Sequence, residues 1–168
     1  GAAGRIQITG VENLEGGTAD DIIYGNSDKN TLIGGAGNDT FRGGAGNDVI
    51  IGGTISSVDT NGDIATQSNE TGYIDVVDYS YLADGSGITV NMDVALENDT
   101  AVNTTGTKLN AGLVTVTSTE YDYLYGIEKI IGSSYKDVIT GDIDDEVNNI
   151  FEGRDGADVI NGGSGDDI

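Results

Sequence analysis

An apolar side chain returns every nine residues in the early part of the chain: Ile23, Leu32, Phe41 and Ile50. It returns again at Ile139, Phe151 and Ile160, with one interval stretched from nine to twelve. Each lies at the centre of a short run such as Thr40-Phe41-Arg42, and turn-forming residues separate the runs. One side chain facing inward between two facing the other way is the alternation of a β-strand. The pattern therefore predicts very short strands joined by tight turns. No segment carries the spacing of an amphipathic helix, so the expected class is all-β.

Set in register, the runs are the ends of nonapeptides. Two are regular: Gly34-Gly-Ala-Gly-Asn-Asp39-Thr-Phe-Arg42 and Gly43-Gly-Ala-Gly-Asn-Asp48-Val-Ile-Ile51. The units 16–24 and 25–33 precede them, with Asp21 and Asn30 at the sixth position, and a fifth copy begins at Gly52-Gly53 and dissolves. A second series comprises 132–140, 141–152 with three extra residues, 153–161 and 162–168; its sixth positions are Asp137, Asn149, Asp158 and Asp167. The two series also repeat each other at an offset of 116 residues. Gly10-Val-Glu12-Asn-Leu14 aligns with Gly126-Ile-Glu128-Lys-Ile130, and Asp21 aligns with Asp137. Tandem modules of this kind imply an extended, quasi-linear parent. The chain starts at Gly1 without Met and stops within a unit, which suggests an excised piece of something longer.

Residues 54–125 read differently. Tyr73 to Tyr81, Ile88 to Val94, Leu113 to Thr117 and Tyr121 to Ile131 are rich in β-branched and aromatic residues, several in period two. Asp84-Gly85-Ser86-Gly87 between the first two resembles a hairpin turn. The expected organisation is a first repeat block with a lead-in strand (1–53), an antiparallel β-rich insert (54–125) and a second block (126–168).

Glycines at positions one, two and four permit a sharp turn, and position six adds a side-chain oxygen. Two half-turns would close one coil of a two-sheeted parallel solenoid, a β-roll, whose coils stack about 4.8 Å apart. Asp21 would then meet Asp39, Asn30 would meet Asp48, and Asn149 would meet Asp167; Asp137 and Asp158 lie 21 apart because of the insertion. Stacked carboxylates at about 5 Å repel unless a cation lies between them. Calcium takes six to eight oxygens at about 2.4 Å, which the paired turns could supply from these side chains and from carbonyls around Gly34, Ala36, Asn38, Gly43, Ala45 and Asn47. Sites built on Asn30 or Asn149 keep an oxygen but lose charge, so they should be weaker. The bland alternative is a solenoid whose acidic residues only favour turns. A separate loop, Asp59-Thr-Asn61-Gly-Asp63 with Glu70 at the twelfth place, has EF-hand-like spacing. Its sixth place is Ile64 rather than glycine, and no amphipathic helices flank it, so a solvated polar loop is the competing reading.

Composition narrows the metal. There is no Cys and no His, leaving oxygen ligands only and excluding thiolate or imidazole sites for zinc, copper or iron. With 29 acidic and 7 basic residues the net charge is -22, which argues against nucleic acid and anionic membranes as partners. No apolar run approaches the roughly 18 residues of a membrane helix. Such an acidic chain should stay expanded until a cation neutralises it. The expected cofactor is therefore several Ca2+ ions, with folding coupled to their binding.

The repeats at 16–53 and 132–168 resemble the RTX calcium-binding β-roll of bacterial proteins exported by type I secretion. The phrases Val76-Val-Asp78-Tyr79-Ser80 and Gly87-Ile-Thr-Val-Asn91, more loosely, resemble segments between such blocks in large surface adhesins. The resemblance implies a chain unstructured in the calcium-poor cell that folds outside it, at the bacterial cell surface or beyond. It also implies neighbouring modules of the same parent as partners. RTX blocks often accompany enzymes, but this segment lacks His, Cys and a Gly-x-Ser-x-Gly elbow, and without Pro it cannot cleave itself at an Asp–Pro bond as some RTX modules do. A non-enzymatic role is expected: a structural extender stiffened by Ca2+, or a ligand-binding module of an adhesin. The tyrosines at 73–81 and 121–125 would be a surface-glycan patch in the second reading and core in the first.

Overall fold

A computed structural model describes residues 4–7, 12–58, 64–68, 72–83, 85, 87–94, 102–103, 111–142 and 148–168. The first repeats form β1 (Gly4–Gln7), β2 (Asn13–Glu15), β3 (Asp21–Tyr24), β4 (Thr31–Ile33), β5 (Thr40–Arg42) and β6 (Val49–Ile51). The middle of the chain forms β7 (Thr54–Val58), β8 (Ile64–Ser68), β9 (Val76–Asp78), β10 (Thr89–Val94), β11 (Val102–Asn103), β12 (Ala111–Thr115) and β13 (Tyr121–Tyr125). The second repeats form β14 (Lys129–Ile131), β15 (Val138–Thr140), β16 (Ile150–Glu152) and β17 (Val159–Asn161).

Successive strands of the repeats alternate between two sheets, as expected of a β-roll. One sheet is parallel throughout, in the order β1-β3-β5-β9-β14-β16. The other has the order β17-β15-β10-β12-β13-β6-β4-β2, and in it only β12 runs against its neighbours. The fold is all-β, a parallel β-roll. Within the repeats the register is that of the nonapeptides: Leu32 lies beside Ile50, Ile23 beside Phe41, and Ile139 beside Ile160.

The residues between the repeats do more than decorate the roll. Strand β9 enters the first sheet between β5 and β14, while β10, β12 and β13 bridge β15 and β6 in the second. The sheets therefore run unbroken from the first repeats to the second. Strands β9 and β10 are not the two arms of a hairpin, contrary to the reading of residues 84–87 as a hairpin turn. They lie in opposite sheets. Only β7 and β8, an antiparallel pair extended by β11, stand apart as a third small sheet.

The core is a thin apolar seam between the two sheets. Position-eight residues Ile23, Leu32, Phe41, Ile50 and Ile139 are fully buried in it. Residues 54–125 add Val77, Tyr79, Ile88, Val90, Val114 and Leu124 to the same cluster. Full burial of such side chains contributes roughly 1.5–3 kcal/mol each. On the outer face of the second sheet, Ile51 and Tyr125 form a second cluster with Ile33, Val49, Ile55 and Tyr123. Phe151 is half-buried and Ile160 is 45% exposed, so the seam opens at β16 and β17.

Candidate metal centre

Each strand is preceded by a turn, so two columns of turns run along the edges of the roll. In each, the backbone N–H of a position-six residue donates to the side chain of its counterpart one coil further on. Along the first edge Asp21 donates to Asp39 Oδ1 at 2.8 Å, Asp39 to Asp75 Oδ1 at 2.8 Å, and Asp75 to Glu128 Oε2 at 2.9 Å. Asn149 continues the series by donating to Asp167 Oδ1 at 2.9 Å. Along the second edge Asn30 donates to Asp48 Oδ1 at 2.8 Å and Asp48 to Asp122 Oδ1 at 3.0 Å. That column stops there, because β12 runs antiparallel beside β13. It resumes where Ile88 donates to Asp137 Oδ1 at 2.8 Å and Asp137 to Asp158 Oδ1 at 2.9 Å.

The turn backbone grips the same side chains from below. Gly17 N–H donates to Asp21 Oδ2, Asn26 N–H to Asn30 Oδ1 and Ser133 N–H to Asp137 Oδ2, each at 2.8 Å. Coils are close enough that a Cβ on Gly16 would strike the Gly34 carbonyl and one on Gly25 the Gly43 carbonyl. Ala36 N–H donates to the Gly17 carbonyl and Ala45 N–H to the Asn26 carbonyl, both at 3.0 Å. Position five forms an outer ladder: Asn38 N–H donates to Asp20 Oδ1, Ile74 N–H to Asn38 Oδ1, and Tyr121 N–H to Asn47 Oδ1.

Asp39, Asp48, Asp137, Asn149 and Asp21 are all buried; Asp158 and Asp167, in the last coil, are half-exposed. Asp48 Oδ2 and Asn149 Oδ1 are buried oxygens that accept no hydrogen bond. Among the described residues the ion pairs are Arg42–Asp78, Lys129–Glu152 and Arg154–Glu152, none of which reaches a position-six side chain. A buried carboxylate oxygen with neither donor nor counter-ion is costly unless something positive occupies its lone pairs. No three carboxylates among the described residues converge on one point. The donor set is thus one or two side-chain oxygens with main-chain carbonyls, which fits a hard cation such as Ca2+ and fits no softer metal.

Asp75, Asp122 and Glu128 occupy ladder positions that the nonapeptide reading did not assign. Their signal was clear only in its second half: Asp75-Val-Val, Asp122-Tyr-Leu and Glu128-Lys-Ile keep the acidic–any–apolar order without the full glycine set ahead of it, Gly72 and Gly126 being single glycines before the first and third. The EF-hand-like set Asp59, Asn61, Asp63 and Glu70 lies outside the described residues. Of the clustered tyrosines, Tyr79 and Tyr125 are buried, whereas Tyr73 and Tyr121 are 42% and 37% exposed.

Burial pushes the Asp48 carboxyl up to about 7, with the charges of Asp122 and Glu120 adding to it and the Asn30 N–H opposing. Burial likewise pushes Asp122 to about 6. Both folded values lie above the unfolded ones, so in metal-free protein this stability is present below about pH 4 and lost as pH rises through about 6 to 7. In EDTA, the β signal in circular dichroism should therefore strengthen as pH is lowered from about 8 to about 5. With calcium the dependence reverses, since protons compete with the ion. A metal-free spectrum indifferent to pH over that range would contradict the assignment of these two carboxyls.

A family model described as the RTX calcium-binding nonapeptide repeat matches the chain four times, at residues 8–40, 24–54, 122–147 and 143–168. No curated protein matches the chain as a relative. Repeats of this family bind several Ca2+ ions per block and are generally non-catalytic. The matches cover both repeat series and more than half of the sequence, and with the β-roll and its oxygen-lined turns they place this chain in the RTX calcium-binding nonapeptide repeat family, as a calcium-binding structural repeat module.

Proposed function

We propose that the chain is a calcium-set structural module of a secreted or surface-attached bacterial repeat protein, folding and stiffening when it meets extracellular Ca2+. The observation that carries the reading is the pair of buried position-six ladders, in which the buried Asp48 Oδ2 and Asn149 Oδ1 accept no hydrogen bond. In this reading the ions are held by Asp21 with Asp39, Asn30 with Asp48, Asp137 with Asp158, and Asn149 with Asp167, together with turn carbonyls. Each ion would cancel the repulsion within its ladder and add stability to the folded state alone by mass action. Residues 1–53 and 126–168 act as the two calcium-loaded blocks, and 54–125 joins them.

RTX repeats are typical of proteins exported by type I secretion, which supports an extracellular location. Among the described residues no helix is long and apolar enough to cross a membrane. Neighbouring modules of the same parent are the proposed partners, consistent with the 116-residue internal repetition. A glycan-binding role finds less support, because Tyr79 and Tyr125 are spent in the apolar clusters.

The test is circular dichroism in EDTA followed by excess CaCl2. At neutral pH the EDTA spectrum should be that of an unfolded chain and the calcium spectrum that of a β protein. A full β signal in EDTA, or equal restoration by Mg2+, would overturn the reading.

A further inference from the structure

Across β3, β5, β9, β14 and β16 one column of side chains faces out of the first sheet: Tyr24, Arg42, Asp78, Ile131 and Glu152. Among the described residues the ion pairs are Arg42–Asp78, Lys129–Glu152 and Arg154–Glu152, and every one includes a member of this column. Two of them hang on Glu152, whose side chain is 48% exposed, and such pairs contribute little. Arg42–Asp78 is built differently.

The Asp78 side chain is only 12% exposed, and each of its oxygens has a donor. Arg42 Nη2 and Nε donate to Oδ2 at 2.6 and 3.0 Å, and the Ser80 N–H donates to Oδ1 at 2.8 Å. The guanidinium also lies over two rings, 5.2 Å from the centroid of Tyr24 and 5.8 Å from that of Tyr81. The negative face of each ring adds attraction. Tyr81 in turn fixes the turn that follows β5. Its hydroxyl accepts the Gly44 N–H at 3.2 Å and donates to the Gly44 carbonyl at 2.9 Å. On the far side the Tyr79 N–H donates to the Ile131 carbonyl at 2.9 Å, and the Tyr79 ring is fully buried in the seam. Residues 78–81 are thereby tied to β5 on one side and to β14 on the other.

Strand β9 is where the first sheet passes from the first repeats to the second. The edge ladder crosses the same junction through Asp39, Asp75 and Glu128, all of them acidic. We infer that Arg42 is a calcium-independent fastening of this junction: its guanidinium does for Asp78 what a metal ion does for the ladder carboxylates, and locks β9 to β5 from the outer face. The contrast rests on the calcium reading above; the fastening itself does not. Charge alone is insufficient. A planar fork is needed to bond Asp78 through two nitrogens while lying over both rings, and an ammonium cannot do both. Calcium would then set how firmly the repeat turns stack, while the first block stays joined to β9 by a cation that the chain supplies itself.

The experiment compares the whole wild-type chain with Arg42→Gln, Arg42→Lys, Asp78→Asn and the double variant Arg42→Gln/Asp78→Asn. Each is followed by urea unfolding in excess CaCl2 and by calorimetric titration with CaCl2. Arg42→Gln and Asp78→Asn should each lower the folding equilibrium constant about tenfold or more, and the double variant by little beyond either single one, because the two share one interaction. Arg42→Lys should recover only a small part of the loss, and the number of ions bound should be the same in every variant. Additive losses would overturn the inference, as would full rescue by lysine, which would reduce Arg42 to a relief of net negative charge. Loss of an ion in Arg42→Gln would overturn it too, by making Arg42 a support for a metal site. Should Arg42→Gln fail to fold with calcium, the cycle of Arg42→Lys with Asp78→Asn gives the same readings. A wild type that binds no calcium strikes the proposed function, whereas a calcium-folded wild type with additive variants strikes this fastening alone.

Discussion

Asp39→Ala should raise the calcium concentration for half-maximal folding by about tenfold or more, and Asn30→Ala by only a few-fold. Both residues are buried and each occupies position six of its turn, so charge is the main difference between them. Asp39 receives the N–H of Asp21 and hands its own to Asp75. Its loss would remove a charged oxygen from the pairings on either side and strip an acceptor from a buried backbone donor, itself a cost of about 1–3 kcal/mol. Asn30 offers a neutral oxygen, so its replacement removes a ligand but little electrostatic attraction. In EDTA the order should invert: without calcium, deleting Asp39 relieves repulsion from Asp21, Asp75 and their neighbours, whereas deleting Asn30 relieves none. The measurement is a calcium titration followed by circular dichroism. Equal shifts for the two variants would mean that the ladder charges do not control the metal.

Gly44→Ala should cost more than about 3 kcal/mol in calcium-saturated protein, against about 1–2 kcal/mol for Gly72→Ala. The two glycines have nearly the same backbone, with φ of 104° and 101°, a region that L-residues occupy only under strain. They differ in what surrounds them. A Cβ at residue 72 meets nothing within 4 Å, but at residue 44 it drives into the carbonyl of Asn26 in the coil below. Gly72→Ala therefore adds strain alone, whereas Gly44→Ala adds strain plus forced separation of two stacked turns. Urea unfolding in excess calcium measures both. If Gly44→Ala proved no worse than Gly72→Ala, coil-to-coil contact would not be what the glycine protects.

Much of the roll was legible from local pattern, because each nonapeptide carries its own turn, strand and inward side chain. Ile23, Leu32, Phe41 and Ile50 lie at the spacing that buries all four, and Asp21 meets Asp39 at the 18-residue interval that two half-turns require. Even the 21-residue step from Asp137 to Asp158 followed from three extra residues in one unit. Legibility failed where a ladder rung depended on a distant strand. Asp75 and Asp122 lack the full glycine set before them; the 74 residues that bring Asp122 beside Asp48 are no multiple of nine, and the 36 between Asp39 and Asp75, though twice 18, join adjacent coils rather than coils two apart.

The division between chain and fold follows from the range of the forces involved. Turn chemistry, strand alternation and an all-oxygen ligand inventory act within nine residues, and by themselves they specify an all-β, calcium-directed repeat. Which coils become neighbours across residues 54–125 depends on long-range pairing: β9 between β5 and β14, and β13 against β6. That pairing buries Val77 and Leu124 in the common seam. It also carries one ladder unbroken from Asp39 through Asp75 to Glu128, and ends the other at Asp122, because β12 enters antiparallel and presents no turn to continue it.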